Sequence, residues 1–257
     1  MHQMQCCILV VSLTIFNVGA SYARQRHLII GGKLARENVT FVAGLRSTKE
    51  GANFCGGTLI DRDRVLTAAH CVYDNPNVNW IALGNSAREG CAVGECIEVE
   101  STRVHDRYDH GGLYDYDFAI LKLKRPSVFD PIHLAPSDSG TFEHANVTVF
   151  GWGKTAYFGQ MSDQLKELQT QVVSNDECVK SFGSAEISDR MLCAVVRSNA
   201  FQDTFSGDSG GPMVYYNGNQ EPLLVGVVSW AKAPKTKGST WKPSVYARVS
   251  AYHEAES

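Results

Sequence analysis

The sequence contains no long run of lysine or arginine. Its 24 basic residues face 27 acidic ones, which leaves a formal charge of −3 and a pI near 6.2. That balance argues against a nucleic-acid footprint and offers nothing to hold an anionic membrane surface. No CxxC pair occurs and only His70 stands directly beside a cysteine, so the donor spacing of a zinc site is missing. Internal repeats and low-complexity tracts are absent too, which excludes a solenoid or a disordered tail. What remains is a chain of 257 residues, 44% hydrophobic, long enough for one large all-β domain or two smaller ones.

The first residues read "MHQMQCCILVVSLTIFNVGASYA", apolar from Cys6 to about Val18 and followed by the small residues Ser21 and Ala23. This is the layout of a secretory signal, residues 1–23, cut after Ala23, although His2 stands where such signals carry Lys or Arg. A membrane anchor is the rival, but the run is shorter than the roughly 20 apolar residues a bilayer requires, and Asn17 interrupts its end. Loss of Cys6 and Cys7 with the signal leaves six of the eight cysteines: Cys55, Cys71, Cys91, Cys96, Cys178 and Cys193. An even number in a secreted chain predicts three disulfides. Two "NVT" sequons, at Asn38 and Asn146, agree with an extracellular destination, and the second immediately precedes a strand signal.

Beyond Ile29 the chain is a series of short apolar or alternating runs broken by turn residues. "FVAGLR", "TLI", "VLTAA", "WIAL", "IEVESTRV", "FAILKL", "VTVFGW", "LQTQVV", "LLVGVVSW" and "SVYARV" predict an all-β barrel or sandwich. One helix start stands out, "SNDECVKSF", where Ser174 and Glu177 have capping-box spacing. "LKRPSVFDPIHLAPSDSG", with three prolines, reads as the connection between two halves.

Three short stretches carry chemistry. In "FQDTFSGDSGGP" Ser209 is crowded by glycines and an acid; "VLTAAHC" ends an apolar run on His70; "DYDFAILKL" opens a strand with Asp117. Singly, each has a plain structural reading: a polar turn, a satisfied structural histidine, a turn acid. Together they supply the three groups of acyl transfer: a hydroxyl nucleophile, an imidazole to take its proton and a carboxylate to fix the imidazole tautomer.

In that order and spacing, "IIGG", "LTAAHC", "DYDFAILKL", "GWG", "GDSGGP" and "SW" followed by "VYARV" are similar to the chymotrypsin-like serine proteases, from Ile29 to about Tyr252. The His, Asp, Ser order differs from that of subtilisins and α/β-hydrolases. An α/β-hydrolase would also need alternating long helices. The resemblance implies two six-stranded antiparallel Greek-key barrels, about 29–130 and 140–257, with the active site in the cleft between them. It casts Ser209 as nucleophile, His70 as general base and then acid, and Asp117 as the group that orients His70. The N–H groups of Gly207 and Ser209 would form the oxyanion hole. Asp203 would lie at the bottom of a pocket for Arg or Lys, Ser229 would hydrogen-bond Asp117, and Trp230 would wall the substrate groove. After loss of a short propeptide, residues 24–28, the new terminus at Ile29 would pair with Asp208. In "RQRHLIIGG" Leu28 precedes that terminus and Arg26 lies two residues earlier, so the active form is expected to begin at Ile29 by cleavage after Leu28 or by trimming after Arg26. A monomer without metal or cofactor, acting on a protein or peptide substrate, is expected.

Several positions depart from the family pattern. Phe205 replaces a cysteine, and "AKAPKTKGSTWKPS" lacks its partner. Ala231 and Ser244 stand where glycines line the pocket, which predicts narrowed or altered selectivity. Cys91 and Cys96 in "CAVGEC" look like an extra hairpin disulfide, in a loop that matches the family's calcium loop poorly, so no calcium is inferred. The resemblance also implies a longer C-terminal helix than "VSAYHEAES" supplies. The family includes non-catalytic members, among them the secreted glucanase inhibitors of oomycete plant pathogens, which "GLRSTKEGANFCGG" and "SVYARVSA" resemble. Such inhibitors typically lack His or Ser of the triad, whereas His70, Asp117 and Ser209 are all present here. A secreted endopeptidase is therefore the leading expectation. A binding protein directed at an extracellular host hydrolase, or an enzyme that itself meets a protein inhibitor, is the alternative for partners.

Overall fold

The computed structural model describes residues 32–36, 39–73, 75, 77–109, 114–154, 159–196, 208–232 and 242–252. The expected signal and propeptide, Ile29, Asn38, Asp203, Phe205 and Gly207 lie outside the described residues.

A two-residue strand, β1 (Lys33–Leu34), opens the described chain. Then come β2 (Val42–Arg46), β3 (Cys55–Asp61), β4 (Arg64–Thr67), the short helix α1 (Ala69–Tyr73), β5 (Trp80–Leu83), β6 (Glu95–Val104) and β7 (Ala119–Leu123). Strands β2 to β7 close into a six-stranded barrel in the order β2-β3-β4-β7-β6-β5. In β7 the buried residues Ala119, Leu121 and Leu123 alternate with the half-buried Ile120 and Lys122, the period-two pattern of a strand with one face on a core.

The chain crosses over through β8 (His133–Leu134) and builds β9 (Asn146–Gly151), β10 (Lys166–Val173), the helix α2 (Asn175–Phe182), β11 (Met191–Val195), β12 (Pro212–Tyr216), β13 (Pro222–Trp230), β14 (Ser244–Arg248) and α3 (Val249–Tyr252). The path β10-β11-β14-β13-β12-β9 closes through the β9–β10 pairing into a second antiparallel barrel, with β1 on β10 and β8 running parallel to β13 as additions. Two six-stranded barrels are what the sequence resemblance implied.

One apolar cluster runs from Leu45, Leu59 and Leu121 of the first barrel to Phe150, Val214 and Val227 of the second. Phe41 meets Phe150 edge-on at 6.2 Å across this boundary, a ring geometry worth about 1 kcal/mol beyond the area buried. A second cluster, with Val149, Leu192, Met213 and Tyr246, fills the second barrel.

The six expected cysteines pair as Cys55–Cys71, Cys91–Cys96 and Cys178–Cys193. The first and third span 16 and 15 positions, and closing loops of that size stabilises by about 3 kcal/mol each in the chain-entropy picture. Helix α2 begins where the capping box placed it: Ser174 Oγ accepts the Glu177 N–H at 3.1 Å. The first sequon residue of β9, Asn146, is exposed.

Candidate active site

Strand β4 pairs with β7 so that Thr67 faces Ala119. His70, three residues beyond the end of one strand, and Asp117, two residues before the start of the other, therefore arrive at the same barrel edge. The Cys55–Cys71 bridge fastens α1, which carries His70, to the first residue of β3. Asp117 is fully buried, while the His70 side chain is 17% exposed.

The Asp117 carboxylate takes donors on both oxygens. Its Oδ1 accepts the backbone N–H of His70 at 2.9 Å, and its Oδ2 lies 2.8 Å from His70 Nδ1 and accepts Ser229 Oγ–H at 2.5 Å. An ionised carboxylate can only accept, so the imidazole proton resides on Nδ1 and Nε2 is left with a lone pair. An imidazole in that tautomer can take a proton at Nε2, and the charge it gains then faces a fixed, buried anion.

Ser209 belongs to a tight turn in which Gly211 N–H donates to Asp208 C=O at 2.9 Å. Its own carbonyl accepts from Gly56 N–H at 2.8 Å, and Gly210 N–H donates to Val228 C=O at 2.8 Å. The first bond ties Ser209 to β3 of one barrel and the second ties its neighbour to β13 of the other, one residue from Ser229. Only glycine fits at 210: φ is +78°, and a Cβ there would lie 2.3 Å from Thr67 Oγ1 and 2.5 Å from the Gly56 carbonyl oxygen.

Asp208 is buried and its Oδ1 accepts Gly153 N–H at 2.8 Å. Cβ atoms at Gly151 and Gly153 would come within 2.0 and 2.2 Å of its carboxylate oxygens. The two glycines of "GWG" thus make room for the acid beside the serine, a role that the motif's spelling did not disclose.

A cleft of about 570 Å³ is lined by His70, Tyr114, Glu186, Ser229, Trp230, Ala231 and Lys232. The expected residues Ser229, Trp230 and Ala231 meet His70 there. Ser244 is buried in β14 beside Val245, which pairs with Trp230. Sequence reasoning missed three members of the lining. Tyr114 stands edge-on to His70 at 6.1 Å, and Glu186 and Lys232, both in the lining, form an ion pair with each other. Lys232 also lies 5.8 Å from the rings of both Trp230 and Phe182. The aromatic run in "YDYDF" is the one local hint of this lining; the ion pair joins loops 46 positions apart, and no local pattern announces it.

Cys55, His70 and Cys71 bring donor atoms within 4.8 Å of one another. Both sulfurs are bonded to each other, so that group has no thiolate with which to hold a metal.

Comparison with known proteins covers almost the whole chain. The trypsin family matches residues 29–255. Glucanase inhibitor protein 3 of Phytophthora sojae (strain P6497) is 34% identical over 94% of this chain and 92% of its own. A trypsin of Saccharopolyspora erythraea is 35% identical over 88% of this chain and 95% of its own. Trypsin 5G1 of Aedes aegypti is 34% identical over 88% and 82% respectively. With two barrels, the His70–Asp117–Ser229 arrangement in the cleft and a family match over nearly its whole length, the chain belongs to the trypsin family.

Proposed function

We propose that this chain is a secreted serine endopeptidase that hydrolyses peptide bonds after Arg or Lys through an acyl-enzyme. The observation that carries the reading is the buried Asp117, which accepts the backbone N–H and the ring Nδ1–H of His70 as well as Ser229 Oγ–H. In this scheme Ser209 Oγ attacks the scissile carbonyl, and His70 Nε2 takes its proton and delivers it to the leaving amine. Asp117 holds the imidazole and offsets its charge; it is not itself protonated. The N–H groups of Gly207 and Ser209 meet the developing oxyanion, and Asp203 receives the substrate's basic side chain, both by sequence position. Three disulfides suit an oxidising extracellular compartment.

The test uses purified protein beginning at Ile29, peptide esters ending in Arg, Lys, Phe or Ala, and a covalent serine probe. Wild type should be labelled and Ser209→Ala should not. His70→Ala or Ser209→Ala should lower amide hydrolysis by at least about 10⁴-fold with thermal midpoints nearly unchanged. Asp203→Ser should abolish the basic preference, whereas a wild-type preference for Phe or Ala esters would place selectivity with Ala231 and Ser244.

A second reading has its own support, because relatives at 32–34% identity are named glucanase inhibitor proteins. Under it the same cleft rim binds an extracellular hydrolase without cleaving it. Equal residual hydrolysis in wild type and Ser209→Ala would favour this reading, and co-purification with an extracellular β-glucanase would then be the measurement.

A further inference from the structure

Asp117 is the central residue of a three-residue turn closed by Phe118 N–H donating to Tyr116 C=O at 2.6 Å. The aim of its carboxylate therefore depends on the backbone of Tyr116. That backbone lies in the left-handed region, φ +52°, which a residue with a Cβ keeps only when its surroundings hold it there.

The surroundings are specific. The buried Tyr116 ring stacks on His105, centroids 4.6 Å apart and planes 16° from parallel. Its hydroxyl accepts from Arg107 at 3.0 Å, and the Arg190 guanidinium lies 4.8 Å from the ring centroid, within the range of a cation–π contact. His105 also holds the far side of the turn, its N–H donating to Phe118 C=O at 2.9 Å. Arg190 comes from the second barrel, one residue ahead of β11. From the same loop Ser188 Oγ–H donates to Asp115 Oδ1 at 2.6 Å, and Arg190 Nε lies 3.5 Å from Asp115 Oδ2. Both residues that precede Asp117 are thus fastened to the barrel that supplies Ser229 and Ser209.

We propose that Asp115 and Tyr116 are positioning residues: a cross-barrel bracket to Ser188 and Arg190 that keeps the Asp117 carboxylate aimed at His70 Nδ1. The first barrel holds His70 and Asp117 and the second holds Ser209 and Ser229, so slippage between barrels would misalign all four, and the bracket opposes that slip at the residue next to the carboxylate. The kinetic test of this inference rests on the proposed hydrolysis; the spectroscopic test does not.

Tyr116→Leu removes the stack and the cation–π contact. It should lower kcat at least about tenfold with KM within about twofold, and shift the acid limb of the pH–rate profile to lower pH, because a poorly aimed carboxylate favours the charged imidazole less. Tyr116→Phe keeps the ring and should restore most of kcat. Ser188→Ala, at a half-buried hydroxyl, should act in the direction of Tyr116→Leu but more weakly, and carries the comparison should the leucine variant not fold. In parallel, the His70 Nδ1 proton is followed by NMR; it should be sharp and far downfield in wild type and broadened or lost in Tyr116→Leu. A wild type without hydrolysis would overturn the proposed function while this proton still decides the bracket. Unchanged kcat and pH limb in Tyr116→Leu and Ser188→Ala, or a loss that tracks a lower Tm while the Nδ1 proton stays intact, overturns the bracket.

Discussion

A methyl group at Gly153 would lie 2.2 Å from Asp208 Oδ2 and 2.6 Å from Oδ1 of a buried carboxylate. Gly153→Ala must therefore push a buried carboxylate that sits directly before Ser209. Under the proposed function hydrolysis should fall at least about tenfold, towards the roughly 10²–10³ that losing a well-aimed oxyanion donor costs. Gly140 is the control: its φ is +77° but no atom lies within 4 Å of a Cβ there, so Gly140→Ala should cost about 1 kcal/mol of backbone strain and leave the rate alone. Ester hydrolysis and thermal unfolding of the two variants separate the cases. The same contrast shows which residues were legible in the sequence. Ser209, His70 and Asp117 are legible only as a set, because each stretch alone reads as an ordinary turn or structural residue while the three residue types in that order match acyl transfer. Tyr114, Glu186 and Lys232 are not legible, because an exposed tyrosine and one surface acid and base are ordinary until the barrels bring them together.

At the scale of elements, α2 rests on its cap as well as its disulfide. Ser174→Ala removes the acceptor for the Glu177 N–H and should lower stability by about 1 kcal/mol with hydrolysis unchanged, measured by denaturant midpoint. The strap β1 depends on Glu167 of β10, whose buried side chain meets Lys33 and Arg36 at 3.2 Å each and accepts the Arg36 N–H at 3.1 Å. Burial alone would raise the Glu167 pKa, but the hydrogen bonds from Arg36 and Lys33, with the charge of Arg36, outweigh it and hold the group below the usual carboxylate value. A carboxylate depressed in the folded state contributes stability above its unfolded pKa, and that contribution fades as pH falls through the folded one. Tm should thus decline more steeply on acidification below about pH 4.5 in wild type than in Glu167→Gln, whose curve starts lower and runs flatter. Parallel curves would show that the strap is indifferent to this charge. Strands with visible alternation or clear turn borders, such as β5, β7, β9 and β13, were legible. "MLCAV" and "PMVYY" were not, since β11 and β12 are largely buried and show no period of two. Helix α1, five residues long, and the two-residue strands β1 and β8 are shorter than any repeat that could reveal them.

For the molecule as a whole, the strap sets a length. Lys33 is held opposite Glu167, and Ile29 stands four residues upstream, about 13–14 Å of extended chain. A form beginning at His27 would carry its ammonium about 7 Å further along the chain. Under the proposed activation by an Ile29–Asp208 pair, terminal sequencing of active protein should return Ile29, and full activity from a species beginning at His27 would refute that pairing. The pairing of Lys33 with Glu167 also bears on the order in which the molecule is made. The first barrel draws all six of its strands from residues 42–123 and has its partners in hand early during synthesis. Strand β1 precedes it in the chain, yet pairs with a strand that emerges only after about two-thirds of the sequence has been translated. The earliest described residues to leave the ribosome thus wait through the whole first barrel for a neighbour, and their pairing with β10 marks the start of the second barrel, with four of its strands still to come.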